Sequence, residues 1–275
     1  MEKMIVDTHT HSTHSFDGRA ELKEMLATAQ KKGVAFYGVS EHFNYDYDLS
    51  CLDKDEAALI AGFDADAYFH EGRHLQEDYA GVMNVLIGAE FGYSDDEAAK
   101  AKYQEDFQKY APDFVINSVH SANGKDYYYY PPVGDKAKVY GEYLAIIRRS
   151  LDAPYPYDIV GHIGYVARYV GYEDKSFEKA MFGAQIDDIL STIIAKDKIL
   201  EVNTSSKQLP QKAIPDENIV RRYYELGGRK ISFGSDSHDP WRIAEKWDEV
   251  VEMLKSIGFT YIIVPCRGEH IKVEI

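Results

Sequence analysis

The residues of this sequence that are best suited to chemistry begin with a His-x-His pair. His9 and His11 directly follow a short apolar run that predicts a β-strand. Because side chains along a strand alternate between its two faces, the two imidazoles point the same way. Two parallel imidazoles form half of a typical metal site, and Asp17 lies in a glycine-containing turn that could bring its carboxylate back toward them. A pair of solvent-exposed histidines is the alternative, since an isolated His-x-His is short and common.

Metal-binding side chains also follow the later predicted strands. Six of the ten histidines stand at strand ends together with two acids: His9, His11, His42, Glu90, His120, His162, Asp236 and His238. In α/β barrels the carboxyl ends of the strands converge on one face, where active sites form. Core histidines would account for one or two of these positions, but not for the whole set. The sequence therefore predicts a metal centre built from the ends of several strands.

The mixture of imidazoles and carboxylates restricts both the metal and the reaction. Such ligands suit zinc, manganese or iron, whereas calcium and magnesium prefer oxygen ligands. Eight or nine ligands exceed what one ion takes, so we expect two or three divalent ions with Glu90 or Asp236 as a bridge. Clustered ions lower the pKa of a bound water to about 7 and hold a phosphoryl oxygen during in-line attack. Hydrolysis of a phosphate ester by a metal-bridging hydroxide is the reaction that this arrangement favours.

Short β-rich runs that alternate with helical patterns must position these residues. This alternation is typical of βα units around a parallel sheet. Because the sequence shows no linker and no internal repeat, residues 1–275 are predicted to form a single barrel domain. The predicted strands after the first cover residues 35–40, 82–89, 114–119, 158–161, 199–202, 230–235 and 260–265. The predicted helices cover residues 20–32, 67–79, 95–110, 137–151, 177–195, 216–226 and 241–257. Residues 43–66 and 121–135 are predicted as long loops, and the first could be a lid.

Charge and composition exclude several classes of protein. The 275 residues carry a net charge of −15 and no long run of lysine and arginine, so nucleic acid is not an expected partner. A small phosphorylated substrate fits such an acidic chain only if cations occupy the site. We find no apolar run near the ~20 residues that cross a bilayer, no signal-peptide pattern, and no disulfide spacing between Cys51 and Cys266. A cytoplasmic protein without a membrane partner is therefore expected.

Six short motifs together resemble one enzyme family. They are Asp-Thr-His-Thr-His at 7–11, Ser-Glu-His at 40–42, Gly-Ala-Glu at 88–90, Ser-Val-His at 118–120, Gly-His at 161–162 and Gly-Ser-Asp-Ser-His at 234–238. This ordered set resembles the PHP (polymerase and histidinol phosphatase) superfamily over nearly the full length. Residues 161–169 and 199–204 are most similar to the monofunctional histidinol-phosphate phosphatases. The resemblance implies a distorted (β/α)7 barrel with a trinuclear centre at the C-terminal ends of the strands.

The resemblance also implies a role for each candidate residue. It implies one ion bound by His9, His11, Glu90 and Asp236, a second by Glu90, His120 and His162, and a third by Asp17, His42 and His238. Asp17 stands where several members of the family have a histidine. Arg168 corresponds to the arginine that binds the substrate phosphate, and its planar guanidinium suits a phosphoryl group. His14 has no family counterpart and is expected to support a ligand or to be solvated.

The reaction that the resemblance implies is hydrolysis of L-histidinol phosphate to L-histidinol and phosphate, a step of histidine biosynthesis. In this reaction the ions and Arg168 would neutralise the charge that develops on the phosphoryl group. Asp17 or His42 could assist protonation of the leaving group, although binding a metal ion would limit either. The nearest alternative is a PHP-type phosphoesterase that acts on a nucleotide, an oligonucleotide end or phosphotyrosine. A protein that binds metal without turnover is a further alternative.

Two other patterns have competing interpretations. Residues 70–74, His-Glu-Gly-Arg-His, match the HExxH pattern of zinc peptidases, but Gly72 weakens the required helix and a solvated helix face is favoured. The four tyrosines at 127–130 are either a wall that stacks on a substrate or, as we favour, an aromatic loop on the barrel rim or at a subunit contact. Tyr45, Tyr47 and Tyr93 have an equal claim to touch the substrate.

Overall fold

Seven parallel strands form one sheet whose order follows the chain. The computed structural model describes residues 4–206, 209 and 211–275. In that part of the chain the strands are β1 (Ile5–Asp7), β2 (Val34–Phe43), β3 (Asn84–Gly92), β4 (Val115–Ser118), β5 (Ser121–Ala122), β6 (Lys125–Asp126), β7 (Ile159–Val160), β8 (Ile199–Asn203), β9 (Ile231–Gly234), β10 (Tyr261–Cys266) and β11 (Glu269–Glu274). The large sheet has the order β1-β2-β3-β4-β7-β8-β9, and its neighbouring strands are all parallel.

The two outer strands of this sheet meet, so the sheet is a nearly closed barrel. The backbone N–H of Thr8 donates to the carbonyl of Phe233 at 3.1 Å, and that of His11 donates to Ser237 at 2.9 Å. Thr10 and Ser237 form a parallel bridge just beyond β1 and β9. The carboxyl ends of the seven strands therefore open onto one face. The prediction of an α/β barrel of seven strands is confirmed.

Helices surround the sheet and cover its outer face. Within the described residues they are α1 (Leu22–Lys31), α2 (Lys54–Ala61), α3 (Ala65–Asp78), α4 (Glu97–Tyr110), α5 (Lys136–Ser150), α6 (Lys179–Ala195), α7 (Glu217–Glu225) and α8 (Trp247–Ile257). Five of them begin after an aspartate whose side chain accepts a backbone N–H, namely Asp53, Asp64, Asp96, Asp135 and Asp216. Each such cap contributes about 1 kcal/mol. Across the described ranges, none of the helices combines the length and the apolar character that a bilayer span needs.

The two segments predicted as long loops contain regular structure. Residues 43–66 include α2, which forms because the Asp53 carboxylate accepts the N–H groups of Asp55 and Glu56. Residues 121–135 include an antiparallel hairpin of β5 and β6. Its turn residues, Asn123 and Gly124, have φ values of 52° and 75°, the left-handed conformation that a tight hairpin turn needs. The loop predictions were wrong here, although Asn-Gly is itself a hairpin signal.

The C-terminal region also differs from the prediction. The helix predicted over 241–257 begins only at Trp247, because Ala244 and Lys246 have φ values of 56° and 58° that interrupt a right-handed helix. The predicted last strand, β10, turns back and pairs with β11. The N–H of Arg267 in this hairpin donates to the carbonyl of Asp113 at 2.7 Å, just before β4. The hairpin therefore lies against the amino end of the barrel, opposite the predicted site.

Candidate metal centre

The predicted strand-end residues come together at the carboxyl end of the barrel. They are His9 and His11 after β1, His42 in β2, Glu90 in β3, His120 after β4, His162 after β7, and Asp236 and His238 after β9. His9, His11 and Glu90 are fully buried, while His42 and His238 are partly exposed. The cluster therefore extends from the inside of the barrel toward solvent. β8 contributes no predicted ligand, but it carries two residues that support the cluster.

Glu90 is the centre of the cluster. Its Oε1 lies 2.9 Å from Nε2 of His162, 3.1 Å from Nε2 of His120 and 3.3 Å from Nε2 of His9. The Ser118 hydroxyl donates to the same oxygen at 2.6 Å. The two imidazole nitrogens of His120 and His162 are themselves 3.2 Å apart. The other carboxylate oxygen, Oε2, lies 2.7 Å from Nδ1 of His42. One carboxylate thus lies within reach of predicted ligands from four different strands, as a bridging ligand must.

A second group joins His9 and His11 to Asp236. Nε2 of His11 lies 3.5 Å from Asp236 Oδ1 and 3.7 Å from Glu90 Oε2, and Nε2 of His9 lies 3.9 Å from Asp236 Oδ1. The two imidazoles have ring centroids 5.1 Å apart. This is the same-face arrangement that the His-x-His spacing predicted. These four residues are the set that the resemblance assigned to one ion.

The third group lies closest to solvent and includes Asp17. Its carboxylate oxygens lie 3.6 Å from His42 Nε2 and 3.1 Å from His238 Nε2, and these two nitrogens are 3.4 Å apart. The turn that brings Asp17 here depends on Gly18, because a Cβ at that position would lie 1.8 Å from the carbonyl oxygen of Ser12. The imidazole of His11 stacks against those of His42 and His238, with centroid distances of 4.1 and 4.3 Å. The structure therefore brings all nine predicted ligands together.

The donor atoms fit divalent metal ions. Six buried atoms of the cluster form no hydrogen bond: His9 Nε2, His11 Nε2, His42 Nδ1, Glu90 Oε2, His120 Nδ1 and His162 Nδ1. Two of them, His42 Nδ1 and Glu90 Oε2, lie 2.7 Å apart. Bonds of about 2.1 Å in a tetrahedral site place neighbouring ligand atoms about 3.3 Å apart, close to the separations observed here. Several triplets of these residues have their donor atoms within 4.8 Å of one another, including His9-His11-Glu90 and His42-Glu90-His120. Since buried polar atoms are rarely left unpaired, the arrangement suits bound cations.

The charge states of the cluster also suit cations. Burial opposes ionisation of Glu90, but the imidazoles of His120, His9 and His42 hold its pKa well below its usual range. Burial likewise opposes ionisation of Asp236, and contacts with His11, His9 and Arg168 hold its pKa low. Burial and the neighbouring His42 and His238 lower the pKa of His11, so its imidazole is neutral. Ionised carboxylates and neutral imidazoles are the forms that bind metal ions, so His9 and His42, whose pKa values the neighbouring carboxylates raise against burial, would release a proton on binding a metal.

Glu201 is a supporting residue that the sequence analysis missed. Its Oε1 lies 2.6 Å from Nδ1 of His9, and its Oε2 accepts the backbone N–H of His162 at 2.7 Å. A carboxylate on Nδ1 fixes the imidazole so that Nε2 faces the cluster. The signal was present in the sequence, because Glu201 is the one charged residue in the buried strand β8. An isolated carboxylate in an apolar strand requires a polar partner.

Two further buried acids hold the segments that carry ligands. Glu41 accepts the N–H groups of Ser12 and Ser15 at 2.9 and 3.0 Å, and thereby fixes the turn that leads to Asp17. Asp7 accepts the N–H of Ser235 at 2.9 Å and so fixes the start of the segment with Asp236 and His238. Burial raises the pKa of Asp7 to about 6, although its hydrogen bonds favour the ionised form. Both acids precede a histidine ligand by one or two residues, which is the pattern that could have identified them.

Arg168 lies beside the cluster and faces a cavity. One terminal nitrogen of its guanidinium lies 3.3 Å from Asp236 Oδ2 and 3.3 Å from Asn203 Oδ1. Its guanidinium carbon lies 4.9 Å from the ring centroid of Tyr165. The cavity has a volume of about 390 Å³, and its wall includes Arg168, Asp17, His42, His120, Asp236 and His238. A phosphoryl group could therefore contact both the arginine and the ligand cluster.

Other candidate residues lie outside the cluster. His14 Nε2 lies 2.8 Å from Glu71 Oε2, so the acid of the HExxH pattern pairs with His14. His70 and His74 are exposed on α3, as the interpretation of a solvated helix face predicted. Tyr45 donates to Asp106 and Tyr93 donates to Asp95 at 2.9 Å. Residues 70–74 therefore take no part in the cluster.

The tyrosine run divides between the two interpretations. Tyr127 is buried and packs against Tyr143, with ring centroids 5.8 Å apart, as a rim-packed residue would. Tyr128 and Tyr129 line the cavity beside the cluster. Tyr47, one of the loop tyrosines, also lines the cavity. The prediction of rim packing thus holds for Tyr127, while its two neighbours face the space where a substrate would lie.

Comparison with known proteins agrees with this geometry. The PHP domain matches residues 7–205. The chain belongs to the PHP family. Its PHP barrel is 30% identical to a probable histidinol-phosphatase of Clostridium acetobutylicum, over 92% of this chain and 94% of that protein. It is 28% identical to a probable histidinol-phosphatase of Thermotoga maritima, over 94% of this chain and 95% of that protein.

Solved PHP structures show the same architecture. A histidinol phosphate phosphatase of Lactococcus lactis, complexed with zinc, L-histidinol and phosphate, matches with a TM-score of 0.82 and 25% identity, over 98% of this chain and 99% of that chain. A putative histidinol phosphatase of Listeria monocytogenes matches with a TM-score of 0.73 and 21% identity, over 89% of this chain and 99% of that chain. The first of these similar proteins binds zinc, and the present PHP chain holds several buried groups that could bind metals. The predicted family is confirmed.

Proposed function

We propose that the protein hydrolyses the phosphate monoester of L-histidinol, releasing L-histidinol and phosphate for histidine biosynthesis. The observation that carries the proposal is the convergence of three imidazoles on Glu90 beside a cavity that also contains Arg168. Membership of the PHP family, relatives described as histidinol-phosphatases, and similarity to a phosphatase complexed with L-histidinol and phosphate support the same substrate.

The cluster has enough donors for two to three divalent ions of zinc, manganese or iron. The partition that we propose is His9, His11, Glu90 and Asp236 for one ion, Glu90, His120 and His162 for a second, and Asp17, His42 and His238 for a third. Zinc in the similar Lactococcus lactis structure supports the presence of metal. Bound ions would supply an activated water and neutralise phosphoryl charge.

The side chains around the cavity would bind and orient the ester. The Arg168 guanidinium is buried and always charged, so it would attract the phosphoryl oxygens and stabilise them as charge develops. Asn203 and Asp236 hold the guanidinium in place. His42 and Asp17 lie at the solvent end of the cluster, where the alcohol would leave. The imidazoles of His238 and His42 hold the pKa of Asp17 low despite burial, so His42 is the better candidate to protonate the leaving oxygen.

We also propose that residues 1–275 act as one barrel domain in the cytoplasm. Pairing of β1 with β9 supports a single unit, because the two ends of the PHP barrel complete one sheet. The acidic composition, with a net charge of −15, fits this location because it favours solubility.

A comparison of phosphate esters tests the substrate. The purified protein, loaded in turn with zinc, manganese and iron, is given L-histidinol phosphate, a nucleoside monophosphate, phosphotyrosine and a simple alkyl phosphate. We expect kcat/KM to be highest for L-histidinol phosphate. The panel also addresses relatives described only as probable phosphatases, such as that of Acetivibrio thermocellus. A higher kcat/KM for another ester would overturn L-histidinol phosphate as the substrate but support a phosphomonoesterase activity. If the metal-loaded protein hydrolysed none of the esters, both the substrate and the activity would be overturned.

A further inference from the structure

The cavity beside the metal cluster has an acidic wall that the reaction at phosphorus does not use. Arg168 and several residues of the ligand cluster line this cavity together with Asp126, which lies at the end of β6. Asp126 is only 5% exposed, yet it lines the cavity. A phosphorylated alcohol bound with its phosphoryl group at Arg168 would extend its alcohol portion along this wall.

Among the described residues, the contacts of Asp126 do not include a lysine or an arginine. Its Oδ1 accepts the backbone N–H of Tyr128 at 2.7 Å, and the hydroxyl of Tyr47 donates to its carboxylate. In the part of the chain that the structure describes, Asp126 forms no ion pair with a lysine or arginine. Burial raises the pKa of Asp126, although the imidazoles of His120 and His42 and the two hydrogen bonds favour its ionised form. A buried carboxylate without a cation is costly, so its presence in a cavity wall points to a cation supplied by a ligand.

Neighbouring side chains make this part of the cavity suited to a cation. Tyr47, Tyr129 and Tyr165 line the cavity and present aromatic surface, which attracts a positively charged group. Glu56 of α2 adds a second carboxylate to the same wall. Among the described residues, three arginines but no lysine line this cavity, and Arg19, Arg168 and Arg242 pair with Asp239, Asp236 and Glu245, not with Asp126. The neighbouring Lys125 places its ammonium over the Tyr130 ring, 5.3 Å from the ring centroid.

We propose that Asp126 determines substrate specificity by receiving a protonated nitrogen of the alcohol portion of the ester. This inference rests on the proposed phosphatase function and adds to it a preference for phosphate esters that carry a cationic nitrogen, either an ammonium or an imidazolium. Asp126 would act in ground-state binding and orientation. Its loss should therefore raise KM more than it lowers kcat.

The competing explanation is that Asp126 only holds the turn after β6. Two substitutions separate these roles. Asp126→Asn keeps a side-chain oxygen for the N–H of Tyr128 but removes the charge, whereas Asp126→Glu keeps the charge and lengthens the side chain. A matched control is Asp174→Asn. Like Asp126, Asp174 accepts the backbone N–H of the residue two positions later, here Ser176 at 2.9 Å, but Asp174 is exposed and lies outside the cavity.

The test uses the metal-loaded full chain and four phosphate esters that differ only in the alcohol. They are L-histidinol phosphate, its analogue without the amine, its analogue without the imidazole, and an alkyl phosphate with neither. For Asp126→Asn we expect kcat/KM to fall about 10- to 100-fold for the nitrogen-bearing ester that Asp126 recognises, and to stay within about twofold for the alkyl phosphate. The two single-group analogues distinguish an ammonium from an imidazolium. Asp126→Glu should retain part of the preference, and Asp174→Asn should retain all of it.

The outcomes separate this inference from the proposed function. An equal loss on all four esters in Asp126→Asn, with unchanged metal content and melting temperature, would overturn the inference and leave a structural role for the turn. An unchanged preference would also overturn it, while L-histidinol phosphate could remain the substrate of the wild type. Conversely, a wild type that prefers a different cationic phosphate ester, with that preference lost in Asp126→Asn, would overturn the proposed substrate and support Asp126.

Discussion

Glu201 Oε1 lies 2.6 Å from Nδ1 of His9, a contact between residues 192 positions apart in the sequence. Both side chains are fully buried. The contact fixes the imidazole of His9 and directs its Nε2 to Glu90, 3.3 Å away. The second oxygen of Glu201 holds the backbone of His162. β8 contributes no predicted ligand, but its carboxylate at Glu201 therefore positions two predicted ligands of the cluster, His9 and His162.

Replacement of Glu201 should weaken metal binding without unfolding the barrel. Gln is isosteric, but it removes the negative charge that makes the His9 imidazole a stronger ligand, so Glu201→Gln should lower metal affinity about 10- to 100-fold. Chelator competition followed by metal analysis measures this affinity. Glu217→Gln is a control, because Glu217 is an exposed residue in the first turn of α7 and pairs with Arg221 on the same helix. Equal metal affinity in Glu201→Gln and the wild type would contradict the role given to this contact.

Asp17→Ala should release one ion and leave the others. Among the residues that the structure describes, Asp17 contacts the cluster at His42 and His238 and forms no ion pair with the bases that surround Glu90 Oε1. We expect one equivalent of metal to be lost, and most of the phosphatase activity with it, because the ion beside the cavity is missing. Metal content by mass spectrometry and kcat/KM on the same samples provide the measurement.

His14→Ala is the matched control for this substitution. His14 lies in the same turn but pairs with Glu71, so metal content and activity should both be retained. Unchanged metal content in Asp17→Ala would show that Asp17 is not a ligand. Loss of metal in His14→Ala would instead mean that the turn as a whole, and not the carboxylate, is required.

Arg168 should act on catalysis and not on metal binding. Arg168→Ala should lower kcat/KM about 10²- to 10³-fold, the effect of removing one preorganised donor from a phosphoryl or oxyanion site. Arg168→Lys should recover only part of this loss, because an ammonium lacks the planar pair of donors. Metal analysis of both variants should match the wild type. If metal were lost along with activity, the role of Arg168 would be to hold Asp236, 3.3 Å away.

The grouping of the candidate ligands could be predicted from the sequence because it depends on local pattern. Alternation of strands and helices places residues such as His120 and His162 at strand ends, and parallel strands bring those ends together. Contacts across the barrel, such as Glu201 with His9, depend on how the sheet closes, and no local pattern specifies that closure. The hairpin at Asn123 and Gly124 had a local signal, but the aromatic and proline-rich sequence that follows it favoured a loop. The position of Asp126 in the cavity wall follows from that hairpin, so it was missed as well.

Asp113 provides a test of stability at the opposite end of the barrel. Its carboxylate is buried and accepts hydrogen bonds from Ile87 N at 2.8 Å, Arg73 at 2.7 Å, Gln76 at 2.7 Å and Arg267 at 2.7 Å. It thus links α3, β3 and the C-terminal hairpin. Asp113→Asn removes the charge that two arginines share, and we expect a loss of about 1–3 kcal/mol in the free energy of unfolding at pH 7. Urea denaturation measures it, and metal content and activity should be unchanged.

The stabilisation by Asp113 should depend on pH with a definite sign. Burial opposes its ionisation, but the Ile87 N–H and the two arginines hold its pKa below the ordinary value of 3.8. Because the folded protein binds this proton less readily than the unfolded chain, the stabilisation is fully present above pH 4 and is lost as the pH falls through the lowered pKa. In metal-free protein, the difference in unfolding free energy between wild type and Asp113→Asn should therefore shrink from pH 7 to pH 3. A difference that stays constant over this range would mean that the hydrogen-bond geometry of Asp113, and not its charge, stabilises the hairpin against the barrel.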